Sequence, residues 1–175
     1  SPSGAITTGN NIICLGDDSI ATLYCKQSSI NTSDARDKAE VTTFTGGLAW
    51  INAMRPVTYK WDMRSSYVDK ETYDATGENI VTTGGTAADI LAATPDGTHK
   101  EDILNIGLIS QEVLAIEQAN GYGSNNDTSL LVDLTEDETS YGLDYSRIIP
   151  ILVSAVKELK AANDALTARV TTLEG

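Results

Sequence analysis

The sequence predicts an α+β protein in three parts: a short β-stub over residues 1–32, a compact α+β domain over 33–145, and a long C-terminal helix over 146–175. Three observations predict this. The first thirty residues carry short β-type runs separated by turn residues. The middle alternates helical and strand periodicities. The last segment keeps an unbroken heptad pattern.

In the stub, Ile12, Ile13, Leu15, Ile20, Leu23 and Tyr24 sit between Gly9-Asn10-Asn11 and Gly16-Asp17-Asp18, which are turn chemistry. The strands are too few to close a core, so the stub is expected to stack on upstream chain or on copies of itself. From about residue 41 to 54, Val41, Phe44, Leu48, Ile51 and Met54 recur at helical spacing, with Gly46-Gly47 weakening the helix or delaying its start. Pro56 ends it, and Val57, Tyr59 and Trp61 alternate as a strand. Residues 62–101 are polar and Gly-rich and predict an insertion bearing a hairpin. The apolar run 103–109 is short enough for a strand, a helix is expected over Gln111–Gln118, and a polar loop over about 119–138. Tyr141, Leu143 and Tyr145 alternate as a further strand.

In the last segment Ile149, Leu152, Val156, Leu159, Asn163, Leu166, Val170 and Leu173 alternate spacings of three and four. They occupy a and d positions of a coiled coil with Asn163 at an a position, and Arg169 at g can pair with Glu174 at the following e of a parallel neighbour. Packing on its own domain suits only the first two turns of such a helix, because beyond Lys160 the apolar face is too narrow. Val or Ile at a with Leu at d favours two strands. Apolar Ile148, Val153 and Ala155 at g and e widen the seam toward three or more. The pattern alone leaves both open.

Composition removes several functions. The net charge of −13, from 25 acids and 12 bases, argues against nucleic acid or an anionic membrane surface as partner. No stretch reaches the ~20 apolar residues of a membrane span, and the N-terminus shows no signal-peptide pattern. Cys14 and Cys25 stand outside any CxxC pattern, and the sole histidine, His99, lies in a Pro/Gly loop, so no metal or other cofactor is expected. The acids Asp133, Glu136, Asp137, Glu138 and Asp144 lack the spacing of a calcium loop and read as a solvated face. Asn31-Thr32-Ser33 and Asn126-Asp127-Thr128 fit the glycosylation triplet by chance.

One stretch carries candidate chemistry. In Thr32-Ser33-Asp34-Ala35-Arg36-Asp37-Lys38, Ser33 and Lys38 are five residues apart. A serine can be activated by a lysine that loses its proton near neutral pH. On spacing alone, Ser33 reads more readily as the cap of a turn through Arg36. His99 in a polar loop makes a Ser-His-Asp triad a poor alternative.

Five segments in order resemble one family. Ser33–Lys38 is similar to the opening motif of the endosialidase-type intramolecular chaperones, peptidase family S74, found in phage tail fibres and tail spikes. Gly47-Leu48 through Ile51, followed by Arg55-Pro56-Val57-Thr58-Tyr59-Lys60-Trp61, resembles its helix and P-V-x-Y-x-W strand. Gly107-Leu108-Ile109-Ser110-Gln111-Glu112-Val113 resembles its G-L-I-A-Q-E-V segment. Asp144 to Pro150 and Ala155 to Leu159 resemble the start of its C-terminal helix.

The resemblance spans 33 to about 174 and implies a homotrimer, the stub being the end of a trimeric β-fibre and the helix a trimeric coiled coil. It further implies that the domain drives folding of the fibre segment ahead of it, in a virion precursor assembled in the host cytoplasm, and is then released by autoproteolysis. Ser33 would be the nucleophile and Lys38 its base. Ser33 Oγ reaches the Thr32 carbonyl through a five-membered ring, whereas its own carbonyl would need a four-membered one. The Thr32–Ser33 bond is therefore the expected cleavage site. Ser110 in place of Ala, Asp37 beside Lys38 and the long insertion depart from the pattern. A permanent, uncleaved fibre tip and a membrane-tethered transcription factor are the alternatives within the resemblance.

Overall fold

A computed structural model of the chain describes residues 32–68, 70–73, 80–83, 85–135 and 139–175. The expected β-stub, Cys14 and Cys25 included, lies outside them. The chain divides into two units, Ser1–Thr42 and Thr43–Gly175, and the second holds the hydrophobic core. The described residues are α+β: short helices, three two-stranded antiparallel sheets and one long C-terminal helix.

Helix α1 covers Leu48–Ala53, shorter than the 41–54 periodicity predicts. The Gly46-Gly47 pair delays its start, since glycine loses the most backbone freedom on entering a helix. Met54 is extended, and Pro56 follows. Trp50 of α1 is buried and meets Phe44 and Tyr122 edge-on at centroid distances of 5.3 and 6.0 Å.

Strand β1, Val57–Tyr59, pairs antiparallel with a strand far along the chain, Asn105–Gly107, in the register Val57–Gly107 and Tyr59–Asn105. The chain between them makes a closed excursion, stapled at its base by Glu101 N donating to Trp61 O at 2.8 Å. It contains the expected hairpin, β2 (Lys70–Tyr73) against β3 (Ile80–Thr83). It also contains helix α2, Ala87–Ala92, started by a Thr86–Asp89 capping box. Tyr67 Oη donates to Asp62 Oδ1 at 2.7 Å and accepts from Gly97 N at 3.1 Å, closing the Pro95–His99 loop onto the excursion's first turn. Strand Asn105–Gly107 is β4.

Helix α3, Ser110–Ala119, matches the expected helix to within a residue at each end. The following loop is not all loop. Val132–Leu134 forms β5, paired with β6 (Tyr141–Leu143). The apolar run Leu130-Leu131-Val132 is too short to stand out before the acids, and only tertiary pairing makes it a strand. Trp50, Val113, Leu131, Val132 and Ile151 form the core, with Phe44, Ile51, Met54, Leu108 and Leu143 against it. It is a small core, in keeping with the single Phe and modest apolar fraction.

Helix α4, Ile148–Glu174, runs 27 residues, about 40 Å at 1.5 Å per residue. Its first half has two apolar faces. Ile151 and Ala155, at c and g of the heptad, are buried against the domain, and Ile148 at g packs on the same core. The a and d residues face away: Val156 is 64% exposed and Leu173 84%.

Candidate functional site

Ser33 and Lys38 lie in the first unit, flanking a single 3-10 turn over Ala35–Asp37. The turn forms because Asp34, in extended conformation (φ −70°, ψ 133°), caps it with its side chain. Arg36 N donates to Asp34 Oδ1 at 2.9 Å. Asp37 N donates to Asp34 O at 3.2 Å and Lys38 N to Ala35 O at 3.3 Å, bending the chain back on itself. Lys38 Nζ thereby donates to Ser33 Oγ at 2.6 Å. The capping role that spacing would give to Ser33 belongs to Asp34, so the Ser33 hydroxyl meets the lysine instead. Thr32, Ser33 and Lys38 are all exposed in the single chain.

Arg36 closes on the same carboxylate with its side chain. Nε lies 3.1 Å from Asp34 Oδ1 and 3.3 Å from Oδ2, and Nη2 lies 2.7 Å from Oδ2. The Arg36 side chain, then its backbone N–H, hold the Asp34 carboxyl below the usual carboxylate range, and the carboxylate raises the guanidinium in turn. A depressed carboxylate contributes stability above its unfolded pKa and loses it as pH falls through the folded one, so the turn keeps its ion pair into mildly acidic solution. Spacing gives Asp34 no role of its own and makes Arg36 only the end of a turn capped by Ser33. An Asp-x-Arg after the serine, with the acid at the cap position, was the available signal.

The other sequence candidates take structural places. His99 packs its ring against Tyr67 at 4.7 Å. Asn126 and Thr128 lie in a 3-10 turn, where Asn126 bridges to the Leu134 backbone and Thr128 joins a capping box with Asn125. Of the acidic run, Asp133 lies in β5 and Asp144 caps the turn ahead of α4; residues 136–138 fall outside the described ones. Among the described residues no three His, Cys, Asp or Glu side chains gather as a metal site would need, and no helix is long and apolar enough to cross a membrane. A groove of about 450 Å³ beside β1 and α3 is lined by Arg55, Tyr59, Trp61, Leu108, Ile109 and Tyr141 among others. Arg55 pairs with Glu112 of α3 and ties that strand's approach to the helix.

The a/d stripe of α4 is the second feature with functional content. Ile149, Leu152, Val156, Leu159, Leu166, Val170 and Leu173 are all exposed along one seam, broken only by Asn163. A monomer rarely leaves an apolar patch of that length to water.

A family model described as chaperone of endosialidase, Peptidase S74, matches residues 33–122, just over half of the chain. The match begins at Ser33. Among curated proteins none matches the chain.

Proposed function

The chain belongs to the chaperone-of-endosialidase family, and from that premise we propose that it trimerises and folds the end of a β-rich phage tail fibre or spike, then releases itself by cutting the Thr32–Ser33 bond. The observation that carries the cleavage half is Lys38 Nζ at 2.6 Å from Ser33 Oγ, on a turn capped by a different residue.

The reaction is an N-to-O acyl shift followed by hydrolysis. Neutral Lys38 takes the Oγ proton as Oγ attacks the Thr32 carbonyl carbon, closing a five-membered ring. The C–N bond to Ser33 then breaks, the amine takes the proton back from Lys38, and the acyl group rests on Oγ as an ester. Water hydrolyses the ester, leaving a carboxylate on Thr32 and a free amine on Ser33. A lysine serves as base only when its charged form is disfavoured, which an exposed side chain achieves by desolvation against other subunits. Assembly would therefore gate the chemistry.

The trimer is supported by the family and by the uncovered seam of α4. Seven apolar a/d side chains stand along it, each giving about 1.5–3 kcal/mol on full burial. Part of each is already covered in the single chain, so only the remaining exposed area works against an association cost of roughly 4–15 kcal/mol. The width of the seam argues less for three strands over two, because Ile148 and Ala155 are spent on the chain's own core and only Val153 stays exposed beside it. The choice of three rests on the family. Parallel association would hold the preceding fibre segments at about millimolar effective concentration, and cleavage would then leave the assembled fibre no route back.

Intact mass under denaturing conditions tests the reading. Wild-type protein should separate into two pieces split between Thr32 and Ser33, while Ser33→Ala and Lys38→Ala remain whole. A wild-type chain that stays whole on long incubation, though trimeric, would leave a permanent fibre tip.

A further inference from the structure

We propose that Asp34 and Arg36 act together as a positioning clamp for the Ser33–Lys38 pair, the guanidinium keeping the Asp34 carboxylate from capturing the Lys38 amine. The proposal rests on the self-cleavage reading. Isolated surface ion pairs contribute little, and proximity alone would make this one ordinary. What distinguishes it is that a single carboxylate does two things at one place. Its Oδ1 caps the turn that folds Lys38 back to Ser33, and both its oxygens are taken by the Arg36 fork.

The clamp answers a conflict built into the segment. The cap that stands next to the nucleophile is a carboxylate, and a carboxylate near a lysine favours the ammonium form, which cannot accept the serine proton. Arginine resolves the conflict because its planar fork pairs with both oxygens and it stays charged throughout the working pH range. Asp37 and Glu40 are the other acids of the segment, and both are exposed. Asp34 differs from them in bonding to the turn itself.

Two measurements test the clamp in the full chain. In the first, cleavage rate is followed against pH for wild type, Arg36→Ala, and Arg36→Ala combined with Asp34→Asn, since Asn still caps. Arg36→Ala should slow cleavage about tenfold at neutral pH and move the rising limb up by about one pH unit, and the added Asp34→Asn should restore both. An unchanged profile in Arg36→Ala, or a double variant no faster than the single one, overturns the clamp.

The second uses a Ser33→Ala background, which cannot cleave. The rate at which an amine-selective acylating reagent labels Lys38 is read by peptide mass. Labelling should fall when Arg36→Ala is added and recover with Asp34→Asn. Equal rates in all three chains overturn the clamp. If wild type never cleaves, the self-cleavage reading fails by itself, and labelling still decides the clamp.

Discussion

At the scale of single residues, Glu117 is the most consequential side chain outside the Ser33 segment. It is fully buried on α3, and its two oxygens collect four donors: Ser129 Oγ at 2.7 Å, Leu130 N at 3.1 Å, Leu131 N at 2.7 Å and Val132 N at 3.3 Å. Gly123, with φ +67°, passes directly over it, where a Cβ would crowd Leu114 and Glu117. The carboxylate thus takes the place of a strand partner for the backbone entering β5. Glu117→Ala leaves those donors buried and unpaired and should destabilise the domain by about 3–5 kcal/mol. Glu117→Gln, which keeps one acceptor oxygen, should cost less. Urea midpoints of the two variants beside wild type would check the order, and equal costs would show that the acceptors are not what matters. None of this is legible in the sequence, because the partners lie 12 to 15 residues further on and a Glu in a helical run reads as a solvated face.

At the scale of elements, α1 is too short to stand alone and depends on α4. A six-residue helix is marginal in water, and Gly47 provides it no side-chain cap. Glu158 supplies one from 110 residues away, its Oε2 accepting from Leu48 N at 2.9 Å. The approach requires glycine, since a Cβ on Gly47 would strike the Glu158 carboxylate and come within 2.9 Å of Ala155 N. Glu158→Ala should lower stability by about 1 kcal/mol, as the loss of a cap does. Gly47→Ala should cost about 1–3 kcal/mol through the clash. Thermal melting followed by near-ultraviolet circular dichroism of Trp50 would report both. A Gly47→Ala protein as stable as wild type would mean that the two helices can slide apart freely. The sequence indicated a delayed helix start at Gly46-Gly47 but not what the delay makes room for.

At the scale of the whole molecule, α4 divides its duties by face. The c and g residues Ile151 and Ala155 belong to the domain, while the apolar a and d residues stand exposed. Substitutions confined to the a/d seam should therefore separate assembly from folding. Leu159→Asp with Leu166→Asp should turn the oligomer into a monomer by sedimentation equilibrium, with the near-ultraviolet signal of Trp50 preserved. Cleavage beside Ser33 should fall with it if assembly supplies the desolvation that the lysine needs. A double variant that remains oligomeric would place the interface elsewhere on the molecule.

The sequence by itself determined what depends on neighbours within a few residues. The heptads of α4, the alternation of β1 and the span of α3 follow from local spacing, whereas spacing alone favours Ser33 as a cap, and its pairing with Lys38 comes, like the family, from the resemblance of short motifs. Tertiary structure decided what depends on chain far away. It made Leu131 and Val132 core and strand, set Glu117 under them, brought Glu158 to α1, and turned Ile148 and Ala155 inward, which narrows the seam to Val153 beside the a and d residues. The cap on Asp34 instead of Ser33 is a local choice between adjacent residues, made by bonds two and three residues apart, that spacing does not make either. The division has one physical cause: periodicity records which residues share a face, whereas burial and hydrogen-bond partners are settled only when distant segments compete for the same core.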